Sequence, residues 1–295
     1  MHALINRTVL MTGPEFFTAE APINPYMEDS SVVDLSRAQA EHDSIKRALG
    51  KAGVHVIQAA PPEDCQDGIY TANWAVCRGD VAVLSSLPNA RKGEEAYARQ
   101  ILEGLGKTAV TVPEGLRFSG QGDALPCGNY LFMGDTYRTD PEVHEFVGKT
   151  LGYDVISLRT VPALGEDGRP VINQASGWPD SFFYDIDLAM AILREPGQNQ
   201  RGLIAWCPEA FTPDSQQKLA ALTDLDQIIV SLDEALNSFA CNLISTGQTA
   251  IMGAHAPRLQ QDIEAHGLQT LTPEIQELTK GGGYIRCTTL TLDNA

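Results

Sequence analysis

Cys287 follows the triplet Gly281-Gly282-Gly283 by four residues, in the segment GGGYIRCTTLTL. A cysteine deep in a core is a small inert hydrophobe, whereas an activated thiolate is a strong nucleophile. The glycine turn favours the second role, because it lets a side chain project into a ligand site. Asp123 also follows a glycine-rich turn, Gly120-Gln121-Gly122, where it is either a turn cap or a ligand-facing carboxylate. Asp185 and Asp187 are two residues apart beside Phe182, Phe183 and Tyr184. Extended backbone would put both carboxylates on one face, and a helix N-terminus would also account for Asp187. Asp67 and Asn73 flank Ile69-Tyr70 in an ordinary loop or a site, and Arg138 is either a site residue or a helix-start residue ahead of Pro141.

A metal could be imagined among Asp123, Asp185, Asp187 and Cys287, but no pair has a recognised ligand spacing, so no metal is expected. The histidines offer little. His2, His42, His144 and His266 sit at a terminus or on helical segments, and His55 alternates along a strand. His255, in GAHAP, is the one in a loop that could reach a site.

The formal charge of −17 argues against a phosphate backbone as partner. Acidity keeps a protein soluble and would also steer a small cation inward. No apolar run approaches the roughly 20 residues of a membrane span, and MHALINRTVLMTG does not read as a signal peptide. The six cysteines form no CxxC pair, which suits a reducing cytoplasm.

What must position these residues is a repeat of element types. WAVCRGDVAVLSS reads as two strands about a turn, GEEAYARQILEGLG as a helix and TAVTV as a strand. The order returns in DALPCGNYLFMG, PEVHEFVGKTLG and DVISL, then in FFYDIDLAMAIL with GLIAWCPEAF, PDSQQKLAALTD and QIIVSL. A fourth copy is NLISTGQTAIMG, APRLQQDIEAHG and LQTL. The fifth is shared between the ends: a strand at Ile285 to Leu292, with RTVLM, a helix from Leu35 to Ala52 and VHVIQAA. Such ββαβ units cannot each bury an apolar face alone, so they should pack about a common centre like propeller blades. A doubly wound sheet would need simple βα alternation, and no GxGxxG or GxxxxGK[ST] element is present.

Six segments, in order, resemble motifs of the pentein superfamily, the dimethylarginine dimethylaminohydrolases with their amidinotransferase and arginine-dihydrolase relatives. They are INPYM, QDGIYTANWAV, Arg91 with Glu94, GDTYRTD, FACNLISTG and GGGYIRCTTLTL. The resemblance implies an α/β fold, a five-bladed α/β-propeller of ββαβ units around a central channel, filled by one domain over residues 1–295. It also implies a cysteine nucleophile at Cys287 that attacks a guanidinium carbon, while carboxylates hold the planar cation. Asp67, Asp123 and Asp187 are placed for that task with Asn73, and Arg138 matches the clamp for a substrate carboxylate. Two positions depart from the pattern. Ser119 stands where the hydrolases carry an orienting Glu, and Asp185 where they carry the catalytic His.

The reading is a cysteine-dependent hydrolase or transferase acting on a guanidino, amidino or ureido amino-acid derivative. It needs no cofactor, takes a small, cationic or amino-acid-like molecule as its partner, and allows a homodimer. Asp185, its pKa raised by crowding and desolvation, would move protons in place of the imidazole. The alternative is a non-catalytic pentein that binds a small cation or a protein. Preferential labelling of Cys287 near neutral pH would favour the enzyme.

Overall fold

The computed structural model describes residues 4–27, 32–135 and 137–294, and His2 lies outside them. The first strand, β1 (Thr8–Thr12), is paired in parallel with β2 (His55–Ala59), with Val9 opposite Val56. A parallel pair needs a crossover, which is supplied by α1 (Leu35–Lys51). Asp34 caps that helix by accepting from the backbone of Ser36 and Arg37, and Ala38, His42, Ile45 and Leu49 form its buried stripe.

Each later unit adds an antiparallel hairpin in front of the same parallel crossover. β3 (Ala75–Arg78) turns at Gly79, whose φ of 52° suits glycine, into β4 (Val81–Leu84). Helix α2 (Gly93–Gly104) then returns the chain to β5 (Thr108–Thr111), parallel to β4. The unit recurs as β6 (Ala124–Cys127), β7 (Tyr130–Asp135), α3 (Val143–Leu151) and β8 (Asp154–Arg159). It recurs again as β9 (Met190–Arg194), β10 (Gly202–Trp206), α4 (Pro213–Ala220) and β11 (Leu225–Ile229). A short helix, α5 (Leu232–Ser238), capped by Ser231, precedes the next copy and has no counterpart in the sequence reading. That copy is β12 (Ile244–Ser245), β13 (Thr249–Ile251), α6 (Pro257–Ala265) and β14 (Gln269–Leu271). Finally β15 (Leu290–Thr291) pairs antiparallel with β1, Val9 opposite Thr291, so the two chain ends share a sheet as expected.

Among the described residues five three-stranded sheets result, each with the hairpin's second strand in the middle or, in the shared sheet, β1. The leading strands lie innermost: β9 contacts β6 and β12, and β15 contacts β3. Side chains stitch neighbouring sheets, as where Ser245 Oγ donates to the Leu193 carbonyl. No helix among the described residues is long and apolar enough to cross a membrane.

The structure corrects the last strand. Only Leu290–Thr291 is extended; Ile285 to Thr288 form a turn. The hydroxyls of Thr288 and Thr289 donate back to the carbonyls of Ile285 and Arg286, at 2.8 and 2.9 Å. Such local bonds offer the backbone an alternative to the ladder. FFYDID is likewise no part of the hairpin: β9 starts at Met190, after a 3-10 turn at Ile186–Leu188.

Leu10 is fully buried with Trp74, Leu84, Leu290 and Leu292, where the shared sheet meets its neighbour. Leu10→Ala should therefore cost about 2–5 kcal/mol, read as a lower urea midpoint at unchanged m-value.

Candidate active site

The turn that carries Cys287 has no room for side chains ahead of it. A Cβ at Gly281 or Gly283 would strike the Tyr70 ring, and one at Gly282, whose φ is 81°, would strike the Asn24 carboxamide. The backbone is then pinned from three sides. Asn24 Nδ2 donates to the Gly281 carbonyl at 3.0 Å, Tyr184 Oη to that of Gly282 at 2.7 Å, and Tyr70 Oη to that of Leu278 at 2.5 Å. Cys287 itself is gripped by Asn242, whose Oδ1 accepts the Cys287 N–H and whose Nδ2 donates to Sγ, both at 3.1 Å. Sequence reasoning passed over Asn242, although FACNLISTG had singled out its segment.

Asp187 Oδ2 lies 3.5 Å from the Cys287 sulfur. Asp123 organises the segment that brings it there, since its Oδ1 accepts the Ile186 N–H at 2.9 Å. Asp185, just before that 3-10 turn, is fully buried, and Gly122 is the close approach that admits its carboxylate. Asp185 Oδ2 accepts from Asn73 Nδ2 at 2.8 Å and lies 3.9 Å from Arg138 Nη1. Asn73 Nδ2 also lies 2.9 Å from Ser119 Oγ, so one carboxamide links Ser119 and Asp185.

The other end of Asn73 is fixed by Arg91, which donates to its Oδ1 at 2.8 Å. Arg91 forks onto Glu94, two bonds of 2.7 Å, and both are buried. Its Nη2 also donates to the carbonyls of Asp67 and Tyr70, which ties the Asp67 loop to the same frame. Arg138 is buried rather than a helix-start residue; its guanidinium stacks on Tyr184 at 3.9 Å and donates to the Ile23 carbonyl. All eight candidate side chains are buried. His255 is not among them: its side chain is 57% exposed and faces Glu274 on the surface.

Had Ile285 to Leu292 formed the expected strand, alternation would have sent Arg286 to the opposite face from Cys287. The backbone there is a turn, and alternation does not apply. Arg286 is buried, and burial lowers its pKa to about 10 against the opposing pull of Asp187 and Cys287.

Burial also sets the protonation of the site. It pushes the Asp187 carboxyl well above the usual range, reinforced by Asp185 and Asp123 and only partly opposed by Arg286. Burial, and next the proximity of Asp187, pushes the Cys287 thiol well up too, which disfavours the thiolate the sequence suggested. Burial raises Asp67 to about 6 despite Arg91. Three carboxylate oxygens, Asp67 Oδ1, Asp185 Oδ1 and Asp187 Oδ1, are buried without any hydrogen-bond partner. Acceptors in that state suit a ligand with several N–H donors and a positive charge.

Comparisons with known proteins show what the chain is similar to. Residues 14–173 match the family described as eukaryotic N,N dimethylarginine dimethylhydrolase. Over 97% of its length the chain is 30% identical to the N(G),N(G)-dimethylarginine dimethylaminohydrolase of Mycobacterium tuberculosis, of which it covers 86%. It is 28% identical to the bifunctional arginine dihydrolase/ornithine cyclodeaminase AgrE of Nostoc sp., spanning 37% of that longer protein. The N-terminal domain of the arginine dihydrolase ArgZ, solved as a cysteine-to-serine mutant with substrate bound, superposes with a TM-score of 0.84 at 25% identity. That match covers 97% of this chain and 98% of the other.

A raised thiol pKa means that the thiolate fraction grows only as pH climbs. At pH 7 a neutral reagent such as iodoacetamide should label the partly exposed Cys65 ahead of Cys287. A planar, cationic chloromethyl amidine should reverse that order, because its charge favours the thiolate it meets. Peptide mapping checks both.

Proposed function

The chain belongs to the dimethylarginine dimethylaminohydrolase family, and from that premise we propose that it cleaves a C–N bond of a guanidino, amidino or ureido amino-acid derivative through a covalent adduct on Cys287. The observation that carries the proposal is the set of three buried, unpartnered carboxylate oxygens, one of them on Asp187, whose other oxygen lies 3.5 Å from the Cys287 sulfur. A guanidinium is planar and presents up to five N–H donors, so it can satisfy them together. Its charge also offsets the acidic cluster that disfavours the Cys287 thiolate, so binding favours ionisation of the thiol whose attack follows.

In this reading Asp67, Asp123, Asp185 and Asp187 surround the cationic head, and Arg138, braced on Tyr184, takes a substrate carboxylate. Asn73 and Ser119 keep Asp185 in place. The acid–base work falls to the acidic pair Asp185 and Asp187, since no histidine among the described residues contacts the site. The five sheets, closed by the two chain ends, support one α/β-propeller domain over residues 1–295.

Intact-mass analysis of the protein with L-arginine, its Nω-methylated derivatives and ureido analogues tests the proposal. A mass increase mapped to Cys287, lost in Cys287→Ser together with turnover by at least about 10³-fold, is the expected result. Ligand binding without adduct or turnover would instead support the non-catalytic pentein.

A further inference from the structure

Replacement of an imidazole by Asp185 makes that residue the obvious heir to its proton chemistry, yet its surroundings oppose the role. Asn73 donates to Asp185 Oδ2 at 2.8 Å and the Arg138 guanidinium stands 3.9 Å away. Both contacts tie that oxygen to groups other than the thiol. Asp187 makes no ion pair among the described residues and its Oδ1 is buried without a partner, while its Oδ2 faces the Cys287 thiol itself. Its Oδ2 is 3.5 Å from Sγ. A leaving nitrogen, two bonds from that sulfur, comes within its reach when it departs on the Asp187 side.

We propose, building on the reading of Cys287 as nucleophile, that Asp187 is the general acid and base of the reaction, while Asp185 acts as a fixed carboxylate. The Cys287 thiolate bonds to the guanidinium carbon and gives a neutral tetrahedral adduct. The C–N bond breaks as the Asp187 carboxylic acid passes its proton to the departing nitrogen. A cationic thiouronium and the Asp187 carboxylate remain. Water then adds its oxygen to that carbon and its proton to Asp187. The C–S bond breaks, the thiolate returns, and the ureido product gives its hydroxyl proton to the released amine.

The groups that face Asp187 suit both halves of the cycle. Asp185 on its own segment and Asp123 from the turn before β6 favour the protonated form before attack. Arg286, from the turn that carries Cys287, opposes them and keeps the proton transferable.

The test compares Asp187→Asn and Asp185→Asn in the full chain, using L-arginine, its Nω-methyl and Nω,Nω-dimethyl derivatives and S-methyl-L-thiocitrulline. The last loses a thiolate, which needs no acid to depart. Asp187→Asn should lose about 10²- to 10⁴-fold in kcat with the amine-releasing compounds, and with it the high-pH limb of the profile. With S-methyl-L-thiocitrulline the same variant should still form the Cys287 adduct and accumulate it, because water then lacks its base. Asp187→Glu, which keeps a carboxyl, should restore part of the rate and guards against a folding defect. If this leaving-group pattern follows Asp185→Asn instead, or Asp187→Asn loses both compound types equally, the inference falls while the nucleophile reading stands. A wild-type chain that neither turns over nor forms an adduct with any of the compounds overturns the hydrolase reading, and this inference with it.

Discussion

Burying several acidic groups around one thiol is the constraint to which the rest of the centre answers. Asp67, Asp123, Asp185, Asp187 and Cys287 all lie within the protein, where desolvation penalises every charge they could carry. Such a cluster persists only if some members are protonated, some are hydrogen-bonded and the remainder await a cation. The structure divides the roles in that way. Asp123 spends an oxygen on the backbone of Ile186, Asp185 is held by Asn73 near Arg138, and Asp187 and Cys287 are pushed toward their neutral forms.

The frame for this division is the buried Arg91–Glu94 fork. Two charges taken out of water gain little net stability, but removing either partner strands the other. Here the fork's yield is geometry. Arg91 fixes Asn73, and Asn73 fixes Asp185 beside Ser119, while the same guanidinium binds the carbonyl of Asp67. Trp74 closes the set by donating to Glu94 at 2.9 Å. Arg91 and Glu94 thus act on the site without facing a ligand.

Ser119 and Asp185, which the sequence resemblance sets against a glutamate and a histidine of the family pattern, are neighbours in the fold. Ser119 and Asp185 share one carboxamide donor, Asn73 Nδ2, so the two positions lie in one hydrogen-bonded unit. A carboxylate at 119 as well would add a further buried negative charge beside Asp185. With serine there, the unit needs no additional cation. This gives a physical reason for the two departures to occur together.

The period of elements was legible from residues 74 to 271, because hairpin turns such as Arg78-Gly79-Asp80 and apolar helix stripes are local signals. The β1–β15 pairing followed from counting units, and the site's membership from glycine turns and motif order. The conformation at Cys287 was not legible. IRCTTLTL has β-branched residues enough for a strand, but the threonine hydroxyls bond to their own backbone, so strand alternation misplaced Arg286. Nor was the grip of Asn242, which lies 45 residues from Cys287 along the chain and meets it only in the folded centre. Protonation was the least legible of all. The sequence singled out Asp185 by its place in a motif. Which carboxyl faces the thiol and which faces a cation is set by burial and by donors drawn from distant segments, and only the tertiary structure decides that.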